Sequence, residues 1–364
     1  MTFPLVHLSG TAYEQGLKHG QQLYKQIFHN LDLYFGRFQD EAKLARDVVL
    51  ERAAIYAEAI RQRAPHYYNG MVGIAEGCGI NLLEIVALNV RYEIMYFQYA
   101  ANAADGCTSI VVDRDRSADG HRYLAQNWDW FPGVAGALLH ITEPDGFESL
   151  AFTEAGIFGG KIGLNSAGIG LLINGLYSFD DDWRTLDLPF HVRCHQILRQ
   201  RDFEAALRVV TGSHRACSGN FVVGSAENGV INLETTPDAY TMLQCENGVL
   251  AHTNHFLAAD EMGVQVPEED RISSTHRQQR AETRLSERSY LMLNNIKSIL
   301  ADHDGYPNAV CQHGDPQLPT HERYATVTSI ILDLDARTMH VAAGNPCCEP
   351  FEVHHIAAAV PQHT

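Results

Sequence analysis

The hydrophobic pattern of the chain changes from a helix-rich to a strand-rich part at Gly106-Cys107, and this change constrains the fold more than any other feature. Before it, apolar residues recur at helical spacing. A capping-box pattern, Thr11-Ala12-Tyr13-Glu14, begins the first predicted helix, and further helices are predicted over about 42–63 and 81–99. After it, short β-rich runs alternate with Gly, Asn and Asp, which favour turns. The first 106 residues are therefore predicted to form a helical segment.

The remainder of the chain is predicted to form one strand-rich domain over 107–364. Its β-rich runs lie at 107–113, 121–128, 137–142, 149–153, 158–164, 168–174, 220–224, 230–235, 239–244, 249–253, 326–334 and 338–343. Helical patterns interrupt them at roughly 187–212 and 273–300. Strands grouped in this way are typical of two packed sheets with helices outside, an α+β fold rather than a wound parallel sheet.

Composition excludes several classes of partner. With 27 Lys and Arg against 44 Asp and Glu, the formal charge is −17, which disfavours nucleic acids and anionic membranes. No apolar run approaches the ~18 residues of a membrane span, and the N-terminus lacks a secretory pattern. The eight cysteines follow neither a disulfide framework nor a CxxC spacing, so we expect reduced thiols and a cytoplasmic protein.

Cys107 is the candidate nucleophile. A cysteine that opens a strand is commonly a small buried hydrophobe, and that interpretation stays open. If the Gly106 peptide bond broke, however, Cys107 would acquire an α-amine whose reference pKa is roughly 7.7–8.0, a suitable base for its own thiol. Asp105-Gly106 is a turn-prone junction, and glycine tolerates the backbone geometry that such a rearrangement needs.

Three strand ends that carry asparagine are candidates to meet the nucleophile. They are Gln126-Asn127-Trp128-Asp129, Leu172-Ile173-Asn174-Gly175 and His252-Thr253-Asn254-His255. A neutral amide donates hydrogen bonds to a developing oxyanion. The alternative is that each asparagine only caps a turn.

Several of these segments together resemble a known family. The motifs are Asp105-Gly106-Cys107-Thr108, 126–131, 153–159, 163–168 and 252–255, supported by Tyr67-Tyr68, 73–77 and 325–327. They occur in the same order along nearly the whole chain as in the acyl-coenzyme A:isopenicillin N acyltransferase family. The resemblance implies an αββα N-terminal-nucleophile fold and autocatalytic cleavage between Gly106 and Cys107. It also implies cleavage or transfer of acyl groups held in amide or thioester linkage.

The resemblance also implies residue roles. Cys107 is the expected nucleophile, and Asp129 is expected near its amine or in the substrate pocket. Asn254 matches the oxyanion asparagine of the family, and Asn174 resembles a second oxyanion donor of related bile-salt hydrolases and penicillin V acylases. The fragments 1–106 and 107–364 are expected to stay associated, and a larger oligomer is an open alternative.

Glu322 and Arg323 are the expected substrate-binding residues. Arg323 lies within about a residue of the position at which the family has an arginine close to the active site. The serine that adjoins this arginine in the penicillin-making enzyme is absent, since its neighbours here are Glu322 and Tyr324. Penicillin synthesis is therefore not expected; the carboxylate suits an amine-bearing substrate or pairs with a basic neighbour.

No cofactor and no metal are expected, although acyl-coenzyme A is a candidate co-substrate. His252, His255 and the pair His354-His355 lack the HExxH or CxxC spacing of a metal site, and Cys347-Cys348 is expected to be ordinary thiols. The glycine-rich run 156–163 lacks the Ser or Thr of a phosphate loop, so it is interpreted as a tight β connection. Arg277 and Arg280 share one helix face, which suits either solvent or substrate.

The sequence thus predicts a self-cleaving cysteine amidohydrolase or acyltransferase that acts on small N-acyl compounds through a thioester on Cys107. Two alternatives stay open. One is a coenzyme A-dependent N-acyltransferase, and the other is a catalytically silent binding protein that retains the fold.

Overall fold

The computed structural model describes residues 2–99, 106–266, 272–318 and 323–358. Its helices are α1 (Ala12–Gln22), α2 (Tyr24–Asp40), α3 (Arg46–Arg63), α4 (Pro65–Cys78), α5 (Leu82–Asn89), α6 (Arg91–Tyr99), α7 (Phe190–Leu198), α8 (Phe203–Thr211), α9 (Ala259–Met262), α10 (Ile272–Ser286) and α11 (Leu293–Leu300). The capping box predicted at Thr11 is formed, since Glu14 N donates to Thr11 Oγ1 and Thr11 N donates to Glu14 Oε2 at 2.7 Å.

The strands form two sheets. They are β1 (Leu5–Ser9), β2 (Thr108–Val112), β3 (Tyr123–Trp130), β4 (Gly136–Thr142), β5 (Glu148–Glu154), β6 (Ile162–Asn165), β7 (Ile169–Gly175), β8 (Gly219–Ser225), β9 (Gly229–Thr235), β10 (Tyr240–Leu243), β11 (Val249–His252), β12 (Ala325–Asp333), β13 (Thr338–Ala342) and β14 (Glu352–His355). Within the described residues, one sheet has the order β1-β4-β5-β6-β7-β8-β9-β10, and the other has the order β11-β2-β3-β12-β13-β14.

The two sheets pack face to face between two helical layers. The strands β2 and β3 of the six-stranded sheet contact β7 of the eight-stranded sheet. Helices α7 and α8 cover the eight-stranded sheet, while α10 and α11 cover the six-stranded sheet. The prediction of an α+β fold with αββα layers is therefore confirmed by the arrangement of the elements.

Alternation along β2 decides which side chains reach the space between the sheets. Val111 points inward and joins the large core, whereas its neighbours Ile110 and Val112 join a second apolar cluster beneath α10 and α11. By the same alternation Cys107 and Ser109 face the space between the sheets, and Thr108 faces α10. Because side chains alternate along β2, the Cys107 side chain faces β7 of the opposite sheet.

Residues 2–99 pack on this sandwich rather than standing apart from it. Ile27 and Tyr34 of α2 belong to the same apolar cluster as Trp128 and Phe152 of the sheets. A strand that the sequence analysis did not predict, β1, adds to the edge of the eight-stranded sheet by pairing parallel with β4. The segment is therefore helical with one additional edge strand.

Helices α1 and α4 touch backbone to backbone. A Cβ atom on Gly16 would lie 2.0 Å from the carbonyl oxygen of Gly70, and one on Gly73 would lie 2.2 Å from that of Tyr13. Only glycine allows this approach. No helix among the described residues is long and apolar enough to cross a membrane.

Candidate active site

Cys107 lies at the start of β2, at the carboxyl end of the junction that the sequence analysis singled out. Its side chain is buried, with 5% of its surface exposed. Burial, together with the charge of Asp129, raises the pKa of the Cys107 thiol to about 12. In the uncleaved chain this thiol is therefore protonated at neutral pH, and it needs a base before it can act as a nucleophile.

Gly106, immediately before the thiol, is held by Asn254. The side-chain oxygen Oδ1 of Asn254 accepts a hydrogen bond from Gly106 N at 3.1 Å, and its Nδ2 donates to the carbonyl oxygen of Gly175 at 3.1 Å. A Cβ atom at position 106 would lie 3.0 Å from the carbonyl oxygen of Asp129, so glycine suits the tight junction. Asn254 follows β11, which pairs with β2, and the sheet therefore brings it to the junction.

Asn174 contacts the other side of the junction. It lies near the end of β7 in the opposite sheet, and its Nδ2 donates to the carbonyl oxygen of Cys107 at 3.2 Å and to that of His252 at 3.4 Å. Its Oδ1 accepts from Ser109 Oγ at 2.9 Å and from Asn220 Nδ2 at 3.1 Å. Asn174 is thus fixed in orientation by four hydrogen bonds across the two sheets.

Asp129 is a buried carboxyl group at the end of β3. Its Oδ1 accepts a hydrogen bond from Thr326 Oγ1 at 2.6 Å, while no donor among the described residues reaches its Oδ2. Burial raises the pKa of Asp129 to about 8, even though Arg277 and Thr326 favour its ionised form. A carboxyl group with this pKa and one free oxygen can exchange a proton near neutral pH.

Arg277 of α10 is a site residue that the sequence analysis left undecided. It is fully buried, and its Nη1 donates to the carbonyl oxygen of Cys107 at 2.8 Å and to Thr108 Oγ1 at 3.0 Å. Its Nη2 donates to Asn254 Oδ1 at 3.2 Å. The interpretation as a solvated helix face is therefore wrong for Arg277. It holds for the neighbouring Arg280, which pairs with Asp302 near the surface.

A second buried cation, Lys161, acts on the thiol from the other sheet. Its Nζ donates to Glu154 Oε1 at 2.5 Å and lies 3.3 Å from the centre of the Trp128 ring. Burial lowers the pKa of Lys161 to about 8, against the opposing effect of Glu154. Lys161 and Arg277 both favour the Cys107 thiolate, so a thiolate formed here is partly compensated. The glycine-rich connection that the sequence analysis set aside therefore carries a charge that matters to the site.

Asn127 and Arg323 make their hydrogen bonds away from Cys107. Asn127 was a candidate to meet the nucleophile, and the structure does not bring it there. Its Nδ2 donates to the carbonyl oxygens of Leu300 and Val310, both at 2.8 Å, because strand alternation turns it toward the helical layer. Arg323 donates to the carbonyl oxygens of Pro316 and Leu318 in the loop before β12. Glu322 lies outside the described residues.

Taken together, the site places polar groups on both sides of one peptide bond. Asn254 binds Gly106 N, whereas Asn174 and Arg277 bind the Cys107 carbonyl oxygen. A buried thiol, a carboxyl group with a raised pKa and two buried cations lie around the bond. This arrangement suits nucleophilic attack by the Cys107 sulfur on a carbonyl carbon, with Asp129 as a nearby group that can accept and return the proton.

A family model and a curated relative both match this chain, and they name the same kind of acyltransferase. The model of the family described as acyl-coenzyme A:6-aminopenicillanic acid acyl-transferase matches residues 116–347, which include Asp129, Asn174 and Asn254. The 40 kDa form of acyl-coenzyme A:6-aminopenicillanic-acid-acyltransferase from Emericella nidulans is 29% identical over 354 residues, covering 94% of this chain and 92% of that protein.

Two solved structures are more distant. A Caenorhabditis elegans ortholog of N-acylethanolamine-hydrolyzing acid amidase has a TM-score of 0.46 at 15% identity, covering 63% of this chain and 93% of its own. A mutant conjugated bile acid hydrolase from Clostridium perfringens has a TM-score of 0.46 at 10% identity, covering 71% of this chain and 99% of its own. These similarities are too remote to assign an activity to this chain.

Proposed function

Because the chain belongs to the acyl-coenzyme A:6-aminopenicillanic acid acyltransferase family, and is therefore an enzyme of acyl transfer or amide hydrolysis, we propose a specific mechanism for it. It cleaves itself between Gly106 and Cys107, and then cleaves or transfers acyl groups of small N-acyl compounds through a thioester on Cys107. The observation that carries the proposal is the set of hydrogen bonds that Asn254, Asn174 and Arg277 make on either side of this junction.

In the first reaction, Cys107 Sγ attacks the carbonyl carbon of Gly106. Asp129 accepts the thiol proton through its free Oδ2, and the proton passes to the departing amide nitrogen of Cys107 as the C–N bond breaks. Gly106 is then held as a thioester. Water hydrolyses it, leaving a carboxylate on Gly106 and a free thiol and α-amine on Cys107. The first reaction thus creates the base that the second reaction uses.

In the second reaction, the α-amine of Cys107 takes the thiol proton, and the thiolate attacks the acyl carbonyl of the substrate. Asn254 Nδ2 stabilises the oxyanion, and Asn174 contributes when it releases its longer bond, the one to the carbonyl oxygen of His252. Asp129 accepts a hydrogen bond from the α-ammonium group. The α-ammonium group then returns the proton to the nitrogen of the leaving amine as the C–N bond breaks. The acyl group is left as a thioester on Cys107, which water or an acceptor amine resolves.

The family and the residues near β12 support small N-acyl compounds as substrates. Arg323 precedes β12, three positions before the threonine that binds Asp129, and we propose that it contacts substrate together with Glu322. The family name supports acyl-coenzyme A as an acyl donor. For amide hydrolysis by this chain we propose no cofactor. None of the eight cysteines, all of which lie within the described residues, forms a disulfide, which supports a cytoplasmic location. The fragments 1–106 and 107–364 remain one particle.

The experiment compares the wild-type enzyme with Cys107→Ala and with Cys78→Ala, a matched control at a half-buried free thiol outside the site. Each protein is incubated with N-acyl compounds or acyl-coenzyme A, with and without an acceptor amine, and then analysed by mass spectrometry. We expect an acyl adduct on the 107–364 fragment of wild type and of Cys78→Ala.

Cys107→Ala is expected to give neither cleavage nor an adduct. New amide formed at the expense of hydrolysis identifies a transferase, whereas free acid alone identifies a hydrolase. Normal cleavage and turnover by Cys107→Ala would contradict the proposal. An uncut, inactive wild-type chain would instead favour the silent binding protein.

A further inference from the structure

A cluster of metal-ligating side chains lies outside the active site, in the loops that follow α11 and β13. It consists of His303, Cys311, His313 and Cys347, whose ligand atoms all lie within 4.8 Å of one another. No metal was expected from the sequence, because His252, His255 and the pair His354-His355 lack a ligand motif and Cys347 was interpreted as an ordinary thiol. We propose that these four side chains bind one Zn²⁺ ion as a structural site.

Four of the six distances between the donor atoms match the edges of a tetrahedron around zinc, and the other two, from His303 to the sulfur atoms, do not exceed 4.8 Å. With Zn–S bonds of about 2.3 Å and Zn–N bonds of about 2.0–2.1 Å, tetrahedral edges are about 3.3 Å for N–N, about 3.6 Å for N–S and about 3.8 Å for S–S. The observed separations are 3.1 Å between the Nε2 atoms of His303 and His313, and 3.6 Å between the Sγ atoms of Cys311 and Cys347. His313 Nε2 lies 3.7 Å from Cys311 Sγ and 3.4 Å from Cys347 Sγ.

The chemistry of the four donor atoms favours zinc over other metal ions. Two thiolates and two imidazoles in tetrahedral geometry are typical of zinc, whereas calcium and magnesium require oxygen ligands. Four protein ligands complete the coordination and leave no position for a substrate, which is the pattern of structural sites. A disulfide is the chemical alternative for Cys311 and Cys347, but their sulfur atoms are 3.6 Å apart, far beyond a bond of about 2.05 Å.

The backbone holds these ligands in place through bonds that do not involve a metal. The loop after α11 is anchored where Cys311 N donates to the carbonyl oxygen of Asp302 at 2.9 Å, and where Asn127 Nδ2 donates to that of Val310. Asn345 joins the loop after β13 to it, since its Nδ2 donates to the carbonyl oxygen of Gln312 at 2.8 Å. The same Nδ2 lies 3.5 Å from Cys311 Sγ, where it can donate to a metal-bound thiolate.

The cluster is also connected to the active site. Gln312, between two of the ligands, accepts a hydrogen bond on its carbonyl oxygen from Thr326 N at 2.8 Å, and its own N donates to Thr326 Oγ1 at 3.0 Å. Thr326 Oγ1 in turn donates to Asp129. A zinc ion that fixes the loop would therefore also fix the hydroxyl group that orients the Asp129 carboxyl group.

The test measures metal content and coordination in the full-length protein, independently of enzyme activity. Wild type is compared with the ligand variants Cys311→Ser and His303→Ala and with Cys348→Ser. Cys348 is the matched control, because it adjoins Cys347 in sequence and in space but is not one of the four ligands. His303 is exposed, so His303→Ala is expected to fold even if Cys311→Ser does not.

We expect elemental analysis to find about one zinc per chain in wild type and Cys348→Ser, and loss of stoichiometric zinc in both ligand variants. Cobalt exchanged into wild type should give the thiolate charge-transfer and ligand-field bands of a tetrahedral sulfur-containing site. Wild type that neither retains zinc nor gives this cobalt spectrum would overturn the inference. So would equal zinc loss in Cys348→Ser, or a thiol count after denaturation that is two below the eight cysteines, which would indicate a disulfide.

Discussion

Replacing Thr326 with valine tests the role of Asp129 in self-cleavage, because the Thr326 hydroxyl group donates to Asp129 while it accepts from Gln312 N. Valine keeps the shape of threonine but removes the hydroxyl group that donates to Asp129 Oδ1 at 2.6 Å. A hydrogen bond to a charged acceptor is worth about 1.5–3 kcal/mol and one to a neutral acceptor about 1 kcal/mol. The ionised form of Asp129 therefore loses about 1.4 kcal/mol more than the protonated form, which raises the pKa of Asp129 by about one unit.

The sign of the effect on self-cleavage follows from the role of Asp129 as proton acceptor. The rate should rise with pH until the Asp129 pKa of about 8 and then level, since the Cys107 thiol, with its pKa of about 12, stays protonated over this range. Thr326→Val moves the midpoint upward. It therefore slows cleavage about tenfold below the midpoint, with little change at the alkaline plateau.

The assay uses uncleaved chain refolded in mildly acidic buffer, where Asp129 is protonated, and then diluted into buffers of increasing pH. Cleavage is followed on denaturing gels. Thr328→Val is the matched control, because it also removes a buried hydroxyl group from β12, but one that donates to the carbonyl oxygen of Ala342 at 3.0 Å. An unchanged or lowered midpoint in Thr326→Val, or an equal upward shift in Thr328→Val, would refute the role given to Asp129.

Three further predictions concern the junction and the fragments. Asn254→Ala should lower acyl turnover about 10²–10³-fold while the protein still folds, because it removes a hydrogen-bond donor to the oxyanion. The control is Asn165→Ala, at a buried asparagine that bonds the carbonyl oxygen of Leu198, and its kcat should stay normal. An unchanged kcat in Asn254→Ala would show that Asn254 does not stabilise the oxyanion. Arg277→Lys should slow self-cleavage, since lysine lacks the two-nitrogen fork through which Arg277 binds the Cys107 carbonyl oxygen and Asn254, whereas Arg280→Lys should not; equal rates in the two variants would contradict this. The fragments 1–106 and 107–364 should elute together from a native sizing column, because α2 shares one apolar core with both sheets; two separate peaks would count against it.

Much of the fold could be predicted from the sequence, because the period of its apolar residues is strong. Strands β2 to β13 and the helices α7, α8, α10 and α11 lie where alternation and helical spacing place them, whereas β1 and β14 were not predicted. Strand β1 was missed because its five residues pair with β4, more than a hundred positions away, and pairing at that distance leaves no local pattern. Asn127 was a candidate for the site because the segment 126–129 was considered as a whole. Neighbouring side chains of a strand point to opposite faces, so Asn127 bonds the helical layer instead.

The site was predicted in part. Cys107, Asp129, Asn174 and Asn254 do lie together, and each had a signal in its own strand end. Arg277 gave no such signal, since a buried arginine on a polar helix resembles one exposed to solvent until the helix is packed on β2. The proposed zinc ligands come from two loops that meet only when β12 and β13 pair, so their spacing along the chain carries no recognisable motif.

N-terminal sequencing of active enzyme, combined with intact mass measurement, detects the cleavage at Gly106 itself. We expect two chain starts in equal amounts, one at the beginning of the chain and one at Cys107, and a fragment whose mass corresponds to 107–364. Fully active protein with a single start, or with a second start at any other residue, would contradict the claim that cleavage at Gly106 gives the Cys107 thiol its base.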